Sequence, residues 1–326
     1  SSYEAVSGYN PYQHPQMSLY GQIWRSKSHL TNIAQGQLDL FIASATDVSP
    51  KNHQDLMARC WFNLSKKKRI LPIEHSFNES WVKISAEEKY GIATIFDNDV
   101  LIFVIAQYMA HLNDKNITQA PGRRFQFTGY EFWKFVGKKR FSGKGYTDLW
   151  KSLERLHHTF VETNLHLGEE RRHSSFNWLS EIKQIVDGGT HRGFQVSVPD
   201  WLYQSVVNKK MVLTLDDGYF DIKGGLERWL YLFARKTSGY NPGGWSEGIY
   251  SIYQKSGSKS SFAEFSRSVR NILRKKSFLG YRVRELEYKR QKGLHFERDS
   301  ELLRLASAKR DRRGAKQWRK DKSHDD

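Results

Sequence analysis

Phe262, Phe265, Val269, Ile272 and Leu273 fall at i, i+3, i+7, i+10 and i+11, which puts them on one stripe of an α-helix. Arg267, Arg270, Asn271 and Arg274 gather on the opposite side, and Lys275 extends that set. Arginine can make bidentate contacts to guanine edges and asparagine to adenine edges. A docked helix over Ser261–Lys276 with this outer face therefore suits the major groove of DNA. A solvated helix that is merely basic has the same composition, because Lys and Arg are good helix formers.

A second segment divides in the same way. Over Tyr146–His158, Tyr146, Leu149, Trp150, Leu153, Leu156 and His157 make an inward face. Thr147, Lys151, Arg155 and His158 share the outer side, with Lys144 just before the helix and Asp148 and Glu154 diluting the charge. A Gly-flanked turn, Gly137 to Gly145, adds Lys138, Lys139 and Arg140, whose side chains and backbone could meet phosphates. Polar hairpin turns bring Arg171, Arg172, His191 and Arg192 as contacts to the backbone or minor groove.

Covalent chemistry finds little support. No GxxxxGK[ST] phosphate loop occurs, and no Ser/His/Asp or Cys/His set carries a local signature. His157 and His158 are adjacent in a helix, where their side chains diverge, so they do not form the alternating pair of a nickase metal site. Asp97-x-Asp99 and Asp216-Asp217 read as cap and turn residues rather than metal ligands. A single cysteine, Cys60, excludes an internal disulfide and a Cys-based zinc site. The expectation is a binding protein without enzymatic activity, metal or cofactor.

Composition names the class of partner. The chain has 326 residues, with 52 Lys and Arg against 35 Asp and Glu, a formal net charge of +17. With 38% hydrophobic and 14% aromatic residues, it still has the apolar surface to build cores. Such a chain meets a polyanion through salt-dependent neutralisation of phosphates: nucleic acid first, then an anionic membrane surface or a ribosome. Neither basic helix has the broad exposed apolar face of a membrane-surface helix. The apolar run Val100–Ala106 falls far short of the roughly 20 residues that span a bilayer. Ser1–Tyr20 lacks the order of a secretory signal, so a cytoplasmic location is expected.

The elements that must carry these faces follow an order that resets once. Strand-like pieces at Ile70–Phe77 and Trp81–Ser85 precede helices at Asp97–His111, with Asp97 or Asp99 as cap, and at Thr128–Val136. After the helix at Tyr146–His158 come strand-like runs at Phe160–Leu167, Ser175–Val186 and Phe194–Val198. The second half repeats the scheme. A helix over Pro199–Val207 and short strands at Met211–Leu215 and Tyr219–Ile222 lead to helices at Leu226–Thr237, Trp245–Gln254 and Ser261–Lys276. A hairpin then joins Tyr281–Glu287 to Leu294–Arg298 around Lys292-Gly293. The expectation is an α+β chain with two winged helix-turn-helix domains in tandem. Its parts are a flexible arm over 1–35, a first domain over 36–198, a second over 199–300 and a basic tail over 301–326. The second domain is assigned DNA recognition, and the first backbone contact and self-association.

Several segments resemble bacterial plasmid replication initiators of the replication initiator protein A family. They are Gly91-Ile-Ala-Thr-Ile-Phe-Asp-Asn-Asp-Val-Leu-Ile, Pro199-Asp-Trp-Leu-Tyr and Leu226-Glu-Arg-Trp-Leu-Tyr-Leu-Phe-Ala-Arg-Lys. Gly145-Tyr-x(2)-Leu-x(3)-Leu-Glu-Arg-Leu, leading into Thr163-Asn164, is similar too, and the resemblance covers residues 36 to 298. It implies a tandem winged-helix initiator that binds direct repeats (iterons) in double-stranded DNA at a plasmid origin. It also implies repression of its own gene as a homodimer, opening of an A·T-rich stretch, and recruitment of host helicase and initiator proteins. Gln37-Leu38-Asp-Leu40-Phe41 looks like the peptide by which bacterial replication proteins bind the sliding clamp, Leu and Phe filling apolar pockets. An ordinary strand packed on the first domain is the alternative for that segment. Alternatives for the whole chain are a transcriptional repressor without a role in initiation and an origin-nicking enzyme.

Overall fold

A computed structural model describes residues 40–43, 48–77, 80–117, 119–138, 142–164, 173–207, 211–274, 278–299 and 301. Its first run of elements is β1 (Leu40–Ile42), β2 (Lys51–His53), α1 (Asp55–Ala58), β3 (Ile73–Phe77), β4 (Ser80–Ala86) and α2 (Asn98–Asn113). There follow β5 (Arg124–Phe127), α3 (Gly129–Phe135), α4 (Gly143–His157), β6 (Thr159–Thr163), β7 (Ser174–Asn177), β8 (Glu181–Asp187) and β9 (Thr190–Ser197). The second run is α5 (Asp200–Val207), β10 (Val212–Thr214), α6 (Gly225–Ser238), β11 (Trp245–Gly248), α7 (Ile249–Ser256), α8 (Phe262–Leu273), β12 (Tyr281–Tyr288) and β13 (Gln291–Arg298).

α2 is apolar on nearly every face, and every residue from Asn98 to Met109 is buried, as a central core helix requires. A sheet in the order β1-β5-β9-β8 packs beside it, β1 parallel to β5 and the other pairs antiparallel. β5 alternates cleanly, burying Phe125 and Phe127. The β8–β9 hairpin turns through Gly188 and Gly189 at φ +54° and +77°, the left-handed pair that a tight two-residue turn demands. Thr128 caps α3 with a reciprocal capping box to Glu131, so that helix starts where the sequence predicts. β3, β4, β6 and β7 form a second, antiparallel sheet.

The second run repeats helix, helix, hairpin. α7 ends at Gly257 in the left-handed region, Ser261 and Glu264 cap α8 reciprocally, and β12 and β13 pair in the sheet β11-β13-β12. The two runs share one continuous apolar cluster. β2 pairs with β10 across the chain, and Arg228 Nη1 of α6 donates to both Asp99 carboxylate oxygens of α2, at 2.7 and 2.8 Å. Burial drives the Asp99 carboxyl up to about 6 against the pull of Arg228.

Several expectations need correction. Asp97 precedes α2 but makes no capping bond to it; its carboxylate accepts from Thr94 N and Thr94 Oγ1 and holds Arg155. Ser175–Val186 is two strands, not one. Trp245–Gln254 divides at Gly248 into β11 and α7. Asp217–Asp221 is a 3-10 turn rather than a strand, because the Asp216 side chain accepts from Gly218 N and tightens the chain there. The second hairpin turns at Lys289-Arg290, not at Lys292-Gly293. Gly293 sits inside β13, where a Cβ would lie 2.9 Å from Glu247 O of the neighbouring strand. Among the described residues, no helix is long and apolar enough to cross a membrane.

Candidate nucleic-acid interface

α8 is built as its spacing requires. Phe265 and Val269 are buried, Ile272 and Leu273 half-buried, and Phe262 sits edge-on to Tyr250 at the surface, centroids 5.3 Å apart. Arg267, Asn271 and Arg274 are exposed on the other side, Arg274 Nη1 reaching Asn271 Oδ1 at 3.4 Å. Arg270 departs from the expectation of a free reader. Its Nε and Nη2 both donate to Glu285 Oε1, at 3.0 and 2.8 Å, tying α8 to β12 and holding that carboxyl below the usual range.

The β12–β13 hairpin meets α8 at a groove that Gln291 and Lys292 share with Phe262, Ser266 and Arg270, and its tip lies just before them in the chain. Lys289 and Arg290 are both exposed and both left-handed, at φ +50° and +62°. Gly fills such a turn at no steric cost and Asn at a reduced one, whereas other L-residues pay roughly 1–2 kcal/mol each. Two cations held there against that cost, with exposed Lys292 next to them, extend the basic surface of α8. Sequence reasoning missed these three. The run Lys-Arg-Gln-Lys between two alternating strands was the signal available.

α4 divides differently. Leu149, Leu153 and Leu156 are buried, and Trp150 stacks on Phe194, centroids 6.2 Å apart. Lys144, Thr147 and Lys151 are exposed, the Thr147 hydroxyl donating back to Gly143 O. Arg155, expected on the outer face, is turned to structural use. Its Nε and Nη2 grip the buried Asp97 carboxylate at 2.8 and 2.6 Å. Lys138 lies over the Trp133 ring, 3.8 Å from its centroid. His157 Nδ1 meets Leu179 O, while His158 stacks on Tyr90 at 3.9 Å and pairs with Glu87.

Lys151, Arg155 and Lys138 also line a cavity of about 560 Å³ whose far side comes from Phe220, Lys223 and Arg228 of the second run. The middle of α4 therefore faces another part of the molecule, and only its first turn, with Lys144 and Thr147, keeps an unobstructed outer side. On the first hairpin, Arg192 is exposed, with Asp187 Oδ2 3.5 Å away, and His191 lies near Tyr146 and Phe194. Lys139, Arg140, Arg171, Arg172 and Lys275 lie outside the described residues, as do Gln37 and Leu38, the 1–35 arm and nearly all of the tail.

The clamp-type segment is corrected by its surroundings. Leu40 and Phe41 belong to β1, paired with Arg124 and Phe125 of β5. Phe41 is 6% exposed and wedged among Tyr108, His111 and Phe125, with centroids 4.9 to 5.4 Å away. An extended peptide bound by another protein must offer its aromatic anchor, and this one is spent in the core. Among the described residues, no group of three or more His, Cys, Asp and Glu could hold a metal ion.

The family model for replication initiator protein A matches residues 51–283. A protein of Wigglesworthia glossinidia brevipalpis named "Putative replication protein" is 32% identical over 204 residues, 61% of this chain and 72% of the relative. The crystal structure of domains 2 and 3 of RctB superposes with a TM-score of 0.54 at 14% identity, covering 76% of this chain and 98% of that one. At that identity the likeness is one of fold, and it spans both runs of elements. With the family model covering most of the described residues, the chain belongs to the replication initiator protein A family.

Proposed function

We propose that this initiator binds direct repeats in duplex DNA at a plasmid origin through two winged helix-turn-helix modules, and that it acts by binding and distorting DNA without covalent chemistry. The observation that carries the reading is the pairing of α8 with the strained basic hairpin tip. Arg267, Asn271 and Arg274 face outward from a capped, core-anchored helix that Arg270 ties to β12, and the hairpin that β12 enters ends in exposed Lys289 and Arg290. In this reading α8 lies in the major groove, the α8 side chains read base edges, and the tip holds the backbone or the minor groove. The first module contributes backbone contacts from Lys144 and Thr147 in the first turn of α4 and from Arg192. Self-association, opening of an A·T-rich tract and recruitment of host helicase and initiator proteins complete the proposal, by analogy with the family.

Footprinting on DNA flanking the gene tests it. Regularly spaced protected repeats beside an A·T-rich tract are expected. A single protected site over the promoter, without repeats, would point to a repressor and overturn the initiator reading. Incubation with supercoiled origin DNA and a divalent metal should leave no nick; a site-specific nick would overturn the non-enzymatic part.

A further inference from the structure

The cavity between α4 and the second run is lined in an unusual way for the interior edge of a fold. Lys66, Lys68, Lys138, Lys151 and Lys223 converge on it from four stretches of the chain, all exposed, and none forms an ion pair among the described residues. Its lining carries seven cationic side chains against three carboxylates, a surplus of four. Two of those carboxylates, Asp97 and Asp99, are already neutralised by Arg155 and Arg228. Burial lowers the Lys138 pKa, Asp148 and Asp99 oppose that shift, and Lys223 and Lys66 add to it, so the lysines are close enough to feel one another. Such a cluster holds repulsion that an anion would relieve.

The lining also has an apolar, aromatic part. Phe96, Phe220 and Trp133 supply it, with Lys66 Nζ 4.7 Å from the Phe96 centroid and Lys138 Nζ over Trp133. A volume of about 560 Å³ lies within the range of small-molecule clefts.

We infer that this cleft is a binding site for a free nucleoside triphosphate, its phosphates held by the converging lysines and its base set against the aromatic lining from Phe96, Phe220 and Trp133. The charge selects a polyphosphate over a nucleic-acid strand. A triphosphate carries two singly ionised inner phosphates and a terminal one of roughly −1.5 to −2, which matches a surplus of four in one small volume. A single strand brings one charge per nucleotide and spreads them along its length. Because the cleft joins α4 to Phe220, Lys223 and Arg228, an occupant would bear on both halves at once.

Calorimetric titration of the full chain with ATP, AMP, inorganic tripolyphosphate and a 12-nucleotide single strand tests this directly. ATP should saturate at one site and bind at least tenfold more tightly than AMP, and more tightly than tripolyphosphate. The double variant Lys138→Ala/Lys223→Ala should weaken ATP about tenfold or more, as expected for the loss of charge-assisted contacts. Lys66→Glu provides an independent second variant, and Lys115→Ala, outside the cleft, should bind ATP unchanged. Absence of saturable ATP binding, or indifference to both cleft variants, would overturn the assignment. So would tripolyphosphate equalling ATP, which removes the base, or the strand displacing ATP at equal nucleotide concentration. Duplex-repeat binding followed in the same samples separates this site from the DNA-binding proposal, since either can fail while the other stands.

Discussion

α8 and α4 carry the same kind of apolar stripe, yet their polar sides meet different fates. On α8 the polar side is open: Arg267, Asn271 and Arg274 face solvent, and Arg270 is bound to an exposed carboxylate on the adjoining hairpin. On α4 the corresponding side is half enclosed, with Arg155 locked to buried Asp97 and Lys151 facing a cleft. A basic amphipathic helix is thus not one object. What its cations do depends on whether another element stands opposite them, and helical periodicity carries no information about that.

The largest expected effect lies on the enclosed side. Arg155→Ala strands the Asp97 carboxylate, which is 1% exposed, and should cost about 3 kcal/mol in urea unfolding, the low end for a broken buried pair because Arg155 is itself 27% exposed. Repeat binding, measured where the variant is folded, should be unchanged; a large selective loss of affinity would erase the contrast with α8. Next comes the open side. Arg274→Ala and Arg267→Ala should each weaken binding to the origin repeat by about 1–3 kcal/mol, with less effect on random DNA and no change in stability. Equal loss on both DNAs would reduce α8 to a phosphate clamp.

A smaller effect is expected at the hairpin tip. Lys289→Gly with Arg290→Gly should weaken all duplexes alike and make the salt dependence shallower by about 2 in log–log slope. The same change should stabilise the fold by up to about 1–2 kcal/mol, since glycine accepts the left-handed turn without strain. Loss of stability instead would mean that the two side chains support the fold rather than a ligand. The smallest effect is at Lys144→Ala, where a slope change of about 0.9 and no change in sequence preference are expected in competition binding. Complete indifference would leave the first turn of α4 without a DNA role.

Much of this architecture was legible because local rules and tertiary context agree. The Thr128 and Ser261 capping boxes, the all-apolar α2 and the Gly188-Gly189 turn are each dictated by a few neighbouring residues. The failures share the opposite property. Asp217–Asp221 has the aromatic content of a strand but is bent by a side-chain bond from Asp216. Lys289-Arg290 contains none of the usual turn formers, and Gly293 attracted the turn assignment although it serves a close approach between strands. Phe41 sits in a plausible recognition peptide, and only its packing against Tyr108 and Phe125 reveals its use. Arg155 likewise looks like its helical neighbours until Asp97, 58 residues earlier, comes within reach.

The β2–β10 pairing has a consequence for how the molecule is made. Lys51 donates to Thr214 across 163 residues of chain. During synthesis, β2 leaves the ribosome long before its partner exists, so this ladder closes late and at the loop-closure cost of a distant contact. A fragment cut at residue 198 would carry β2 without β10, and the complementary piece would carry the same loss in reverse, each exposing a strand edge that the intact chain covers. The halves look alike in element order, but neither should behave as a portable cassette, and attempts to swap them between initiators would have to move the 51–53 segment together with the half that follows residue 199.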